Sequence, residues 1–184
     1  MVASIKHTLI ALVEDKPGVL NRAASLFRRR GFNIESIAVG HSEIAGLSRM
    51  TLVVDGANTA VEQVEKQLYK LVDVVKVTDI TAESMVAREL ALIKVGATSA
   101  TRSEILQIVD IFRANIVDVA TDSVMVEVTG DENKIDSLLD LLKGFGIKEL
   151  VRTGRVAMVR GTDGGSPIDE ESVQKITKRR KKQV

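Results

Sequence analysis

The chain contains no cysteine, which removes disulfides, thiolate metal sites, redox pairs and cysteine nucleophiles at once. Two histidines, His7 and His41, are too few for a histidine metal cluster. Neither sign of charge prevails: 26 basic residues face 25 acidic ones, so no overall field gathers nucleic acid or anionic lipid. No apolar run approaches the roughly 20 residues of a membrane span. Met1 to Lys6 lack the charged start and apolar stretch of a signal peptide, and a cytoplasmic location is the resulting expectation. Catalytic motifs are missing too: there is no G-x-G-x-x-G, P-loop, H-E-x-x-H or G-x-S-x-G. His7 alternates with strand residues, and His41 sits in a loop with no identifiable acidic partner. Glu14 and Asp15 are neighbours in a turn, suited to capping or ligand contact more than to acid and base work. The chain is therefore not expected to be an enzyme.

What is present is a soluble composition, 45% hydrophobic over 184 residues, enough for one large domain or two small ones. Ile5 to Val13 reads as a strand that stops at Glu14-Asp15-Lys16-Pro17-Gly18. Pro17 suits the first turn of a helix, along which Val19, Ala23, Leu26 and Phe27 recur at helical spacing while Arg22 stays polar. Gly31 closes that helix as a left-handed cap. Asn33 to Val39 and Leu47 to Val54 are strands, Val61 to Val72 carries a second helical stripe, and Val74 to Ile80 is a fourth strand. The order βαββαβ predicts an α+β, ferredoxin-like unit with both helices on one face of a four-stranded sheet.

The order then repeats. Arg88 to Val95 is a strand, Thr101 with Glu104 forms a capping box opening a helix, and Ile116 to Ala120 and Val124 to Thr129 are strands. Gly130-Asp131 starts a helix ended by Gly144 or Gly146, and Ile147 to Val159 is mostly strand. Phe27-Arg28 before Asn33-Ile34 is echoed by Phe112-Arg113 before Asn115-Ile116. Two tandem ferredoxin-like domains are expected, at 4–80 and 88–160, with a linker at 81–87. Small domains of this size often complete their cores by pairing, so a dimer is expected. Residues 161–184, rich in glycine and then basic at Lys178 to Lys182, read as a disordered, solvated tail.

The same fold class includes RNA-recognition modules, which stack bases on aromatics of the central strands. Ile5 to Val13 and Leu47 to Val54 contain none. The turn Asp15, Lys16, Pro17, Gly18, Val19, Leu20 offers a different use. Free backbone N–H groups of Gly18, Val19 and Leu20, at the positive end of a helix, suit a carboxylate. Gly18 admits close approach, and Asp15 can accept from an ammonium group. A plain N-capped helix start accounts for the same residues.

With D-K-P-G-V-L at Asp15 to Leu20, the sequence resembles an ACT domain, the small-molecule-binding regulatory module of amino-acid metabolism. R-G-F-N-I-E-S-I-A-V (Arg30 to Val39), L-S-R-M-T-L-V-V (Leu47 to Val54) and V-E-K-Q-L-Y-K-L-V-D-V-V-K-V (Val64 to Val77) extend the likeness to the regulatory small subunits of acetohydroxyacid synthase, also called acetolactate synthase. R-E-L-A-L-I-K-V, I-F-R-A-N-I-V-D-V and R-T-G-R-V-A-M-V-R-G continue it to about residue 160. The resemblance implies a homodimer that activates a large catalytic subunit and confers feedback inhibition by valine or a related branched-chain amino acid. Thiamine diphosphate, magnesium and FAD are then expected on the catalytic partner and none in this chain. It also implies an effector held by Asp15 to Leu20 of one protomer and by Asn33 and Ile34 of the other, with Ile34, Val19 and Leu20 as an apolar wall. Asp15 stands where many members carry Asn, so its ionised side chain favours the ligand's ammonium and repels its carboxylate. A free-standing ACT-type sensor of another enzyme is the alternative reading.

Overall fold

The computed structural model describes residues 6–56 and 58–161, although the side chains of Arg30 and residues 58–60 are not among those described. Ile5, and all of the expected tail after Gly161, lie outside the described residues.

The first unit runs β1 (Lys6–Glu14), α1 (Val19–Arg30), β2 (Ile34–His41), β3 (Leu47–Asp55), α2 (Asn58–Leu68) and β4 (Val74–Asp79). Its sheet is ordered β2-β3-β1-β4 and is antiparallel throughout. Alternation on the pleat sends Leu9, Ala11 and Val13 of β1, with Met50, Leu52 and Val54 of β3, into one core with Val19, Ala23, Leu26 and Phe27 of α1 and Val61, Val64 and Leu68 of α2. Phe27 meets Phe32 edge to face, ring centroids 6.4 Å apart. The opposite face is buried too: Thr8, Ile10, Leu12, Thr51 and Val53 have little exposure, and Arg49 Nη2 there donates to Ala157 O at 3.1 Å. That buried, aromatic-free face differs from the open stacking platform of an RNA-recognition module.

The second unit repeats the order as β5 (Met85–Gly96), α3 (Arg102–Ile111), β6 (Asn115–Val119), β7 (Ser123–Gly130), α4 (Glu132–Leu142) and β8 (Ile147–Arg152), with sheet order β6-β7-β5-β8. Its core, centred on Ile93, Ile105, Val126, Ile135 and Leu138, is separate from the first. A short strand β9 (Val156–Val159) also pairs with β5. Compactness divides the described residues into Ala87–Val156 and the remainder, so that Ala157 to Gly161 group with the first unit. Residues 85–87, expected in the linker, are the start of β5, and the expected strand 147–159 is broken by Thr153 to Arg155.

Three local expectations are corrected. Pro17 precedes the helix rather than entering its first turn: Gly18 is the N-cap and α1 begins at Val19. Leu71 and Val72 lie beyond α2, which ends at Leu68 because the chain turns there to reach β4. The capping box at Thr101 and Glu104 does not form. Thr101 has α-helical angles, φ −94° and ψ −16°, which take its hydroxyl away from the helix's first free N–H groups. The threonines satisfy each other instead: Thr98 N–H donates to Thr101 Oγ1 at 3.0 Å and Thr101 N–H to Thr98 Oγ1 at 3.3 Å. The other capping expectations hold. Gly31 closes α1 at φ 69°, and Asp131 caps α4 by accepting from Lys134 N–H at 2.8 Å.

Candidate functional site

The β1–α1 junction is shaped by Gly18, whose φ of 85° lies where a side chain is strained. No side chain caps the helix that follows. Val19 N–H makes a long bond to Lys16 O, 3.4 Å, within the turn. The N–H groups of Gly18 and Leu20 have no acceptor among the described residues. Of the three amides expected to be free, two are.

The side chains sort differently from the sequence expectation. Val19 is only 5% exposed and packs in the core, so it cannot form a wall for a ligand, whereas Leu20 is 48% exposed beside the turn. This follows from the helical stripe, on which Val19 lines up with Ala23 and Leu26. Lys16 is drawn to Glu14 at 2.7 Å. Asp15 donates its N–H to Gly46 O at 3.0 Å, which ties the turn to the β2–β3 loop.

Asp15 also has a neighbour the sequence did not reveal. His41 Nδ1 lies 3.2 Å from Asp15 Oδ2. The register explains the meeting, because Ser48 of β3 pairs with Val13 on one side and His41 on the other. Asp15 follows Val13 by two residues. The other histidine, His7, is buried and paired through Nδ1 with Asp79 at 3.0 Å, away from the turn.

Arg22 is the second residue that sequence reasoning passed over. Its side chain runs back toward the helix start, as helical side chains do, and Nε donates to Asp73 Oδ2 at 2.6 Å. A Cβ built on Gly18 would lie 3.3 Å from Arg22 Nη1. The guanidinium therefore stands over the turn. Gly18 and Arg22, one helical turn apart, were the signal that could have exposed this.

Asn33 and Ile34 sit at the other end of α1, Asn33 exposed and Ile34 half-buried against the core. The 12 residues of α1 span about 18 Å, too far for one amino acid to touch both ends in one chain. Among the described residues no group of three or more His, Asp or Glu is placed to hold a metal ion, and no helix is long and apolar enough to cross a membrane.

Two family models match. Residues 9–76 match the small subunit-like ACT domain of acetohydroxyacid synthase, and residues 88–161 match the small subunit of acetolactate synthase. A probable acetolactate synthase small subunit of Archaeoglobus fulgidus is 60% identical over 157 residues, covering 85% of this chain and 98% of that protein.

The chain belongs to the acetolactate synthase small-subunit family.

The Bacillus subtilis acetolactate synthase small subunit is 55% identical over 160 residues, covering 86% of this chain and 92% of its own length. The crystal structure of the acetolactate synthase small subunit from Thermotoga maritima superposes with a TM-score of 0.80 at 46% identity, covering 85% of this chain and 98% of that one. Acetolactate synthase small subunits are regulatory, and membership makes this chain a non-catalytic regulatory subunit with two tandem ACT-like βαββαβ units.

Proposed function

We propose that the chain works in the cytoplasm as a homodimer that activates the large catalytic subunit of acetolactate synthase and makes it sensitive to valine or another branched-chain amino acid. The effector's carboxylate lies at the Gly18 and Leu20 amides and its ammonium at Asp15, while Leu20 lines its aliphatic side chain. Asn33 and Ile34 come from the second protomer. One observation carries this reading: α1 opens on a left-handed glycine with no side-chain cap, leaving amides without acceptors next to an anionic residue. The length of α1 supports a second protomer, since a ligand at the turn reaches an Asn33 only from another copy. β2, which follows Asn33, is an edge strand of its sheet among the described residues, which supports pairing with a second copy.

Effector bound across two protomers favours one arrangement of the pair. A tenfold bias needs about 1.4 kcal/mol of differential affinity, within reach of one well-placed ammonium contact. Valine is one methylene smaller than leucine and isoleucine, which are isomers of each other, and that methylene is worth about 1 to 3 kcal/mol in an apolar pocket.

The test is to mix the chain with the catalytic subunit and titrate valine while following acetolactate formation. Wild type should show saturable inhibition. Gly18→Asp should abolish it, because it places a carboxylate where the ligand's own belongs and strains a backbone at φ 85°. Size-exclusion chromatography of the mixture separates loss of ligand from loss of assembly. Full valine sensitivity in an assembled Gly18→Asp complex would refute the placement.

A further inference from the structure

Asp73 is the starting point. Its side chain is 9% exposed, and a buried carboxylate requires a counter-charge. Arg22 provides it through Nε alone, at 2.6 Å. The pair is joined to the β1 end of the turn, because Glu14 N–H donates to Asp73 O at 2.8 Å. Nε is thus committed to Asp73. Nη1 and Nη2 have no acceptor among the described residues, and the side chain as a whole is 46% exposed. Nη1 is held above Gly18, 3.3 Å from where a Cβ would stand, with Cζ at 3.9 Å.

We propose that Arg22, positioned by Asp73, is the carboxylate anchor of the effector site and selects ligands that carry a free carboxylate. The inference rests on the effector site proposed above. Gly18 then has two tasks. It supplies the left-handed turn, and the missing Cβ lets the guanidinium lie close over the backbone, so that one carboxylate at the rim of the turn can accept from Nη1 and from the open amides together. The planar fork of arginine suits this geometry, whereas a lysine ammonium would offer charge without a second directed donor. Asp15 and Arg22 together present one anion and one cation at the turn, the complement of a zwitterion.

The experiment is calorimetric titration of the full-length chain with L-valine and with L-valinamide, which keeps the ammonium and side chain but lacks the anion. Wild type should prefer valine. Arg22→Gln should weaken valine by about tenfold or more, the loss of one charge-assisted contact, while changing valinamide little, so that the preference collapses. Arg22→Lys should keep part of it. A purely structural arginine predicts equal loss for both ligands, and that result would overturn the proposal. Gly18→Asp separates the two levels of inference. If Gly18→Asp loses valine while Arg22→Gln binds it normally, the turn stands and the arginine anchor falls. If both variants bind valine normally, the site itself is misplaced.

Discussion

Glu65 on α2 is a residue whose protonation is linked to folding. Burial raises its pKa, and the nearby carboxylates of Asp79 and Glu62 raise it further, against an opposing pull from Lys66. The folded state therefore holds this proton more tightly than the unfolded chain, whose glutamates titrate near about 4.3. Stability contributed here is complete below that value and is lost as pH rises through the folded pKa. Glu65→Gln should raise the urea midpoint at neutral pH, and the gain should fade as pH falls below the unfolded value. An unchanged difference across that range would contradict the assignment. Residues at the turn before α1 were unequally legible. Gly18 and Asp15 announce themselves by type and neighbourhood, and the resemblance names them. Arg22 reads as one more polar position on an amphipathic helix, because its rotamer depends on Asp73, 51 residues away. His41 is hidden by a register that only the three-strand pairing around Ser48 creates.

At the scale of elements, periodicity located both helices and the four sheet-forming strands of each unit, and its errors fall at element ends and at the break between β8 and β9. Thr101 followed by Glu104 has the composition of a capping box, yet the neighbouring Thr98 captures the hydroxyl first. Long-range pairs were beyond reach. Arg152 on β8 forks Glu89 of β5 with Nε to Oε1 at 2.8 Å and Nη2 to Oε2 at 2.6 Å, while Nη1 reaches Asp136 of α4 at 2.8 Å. Glu89 holds Arg152 more firmly protonated than usual, against the cost of partial burial. The sequence marked Arg152 to Gly161 as a block of the family likeness without showing why its first residue matters. Glu89 is only 8% exposed, so Arg152→Met strands a buried carboxylate and should cost about 3 kcal/mol. Adding Glu89→Gln should recover part of that loss in a double-mutant cycle by denaturant unfolding. Additive losses would show that the two residues do not act as a pair.

Among the described residues the two largest hydrophobic cores, one in each unit, have no residue in common. Phe27 and Leu138, 1% and 0% exposed, are among the largest side chains of each. Truncating either to alanine should cost about 3 to 5 kcal/mol. Hydrogen exchange read by mass spectrometry should show protection lost around β1, β3 and the first two helices in Phe27→Ala, and around β5, β7 and the last two helices in Leu138→Ala. Identical footprints from the two variants would mean that one cooperative core had been mistaken for two.

Duplicated architecture does not imply duplicated reception. In the second unit no glycine opens the strand-to-helix junction, which holds Thr98 and Thr101, each hydroxyl accepting from the other residue's N–H. On the effector site proposed at Gly18, a titration of branched-chain amino acid to saturation should plateau at one ligand for each polypeptide, and two would place a receptor in the second unit as well.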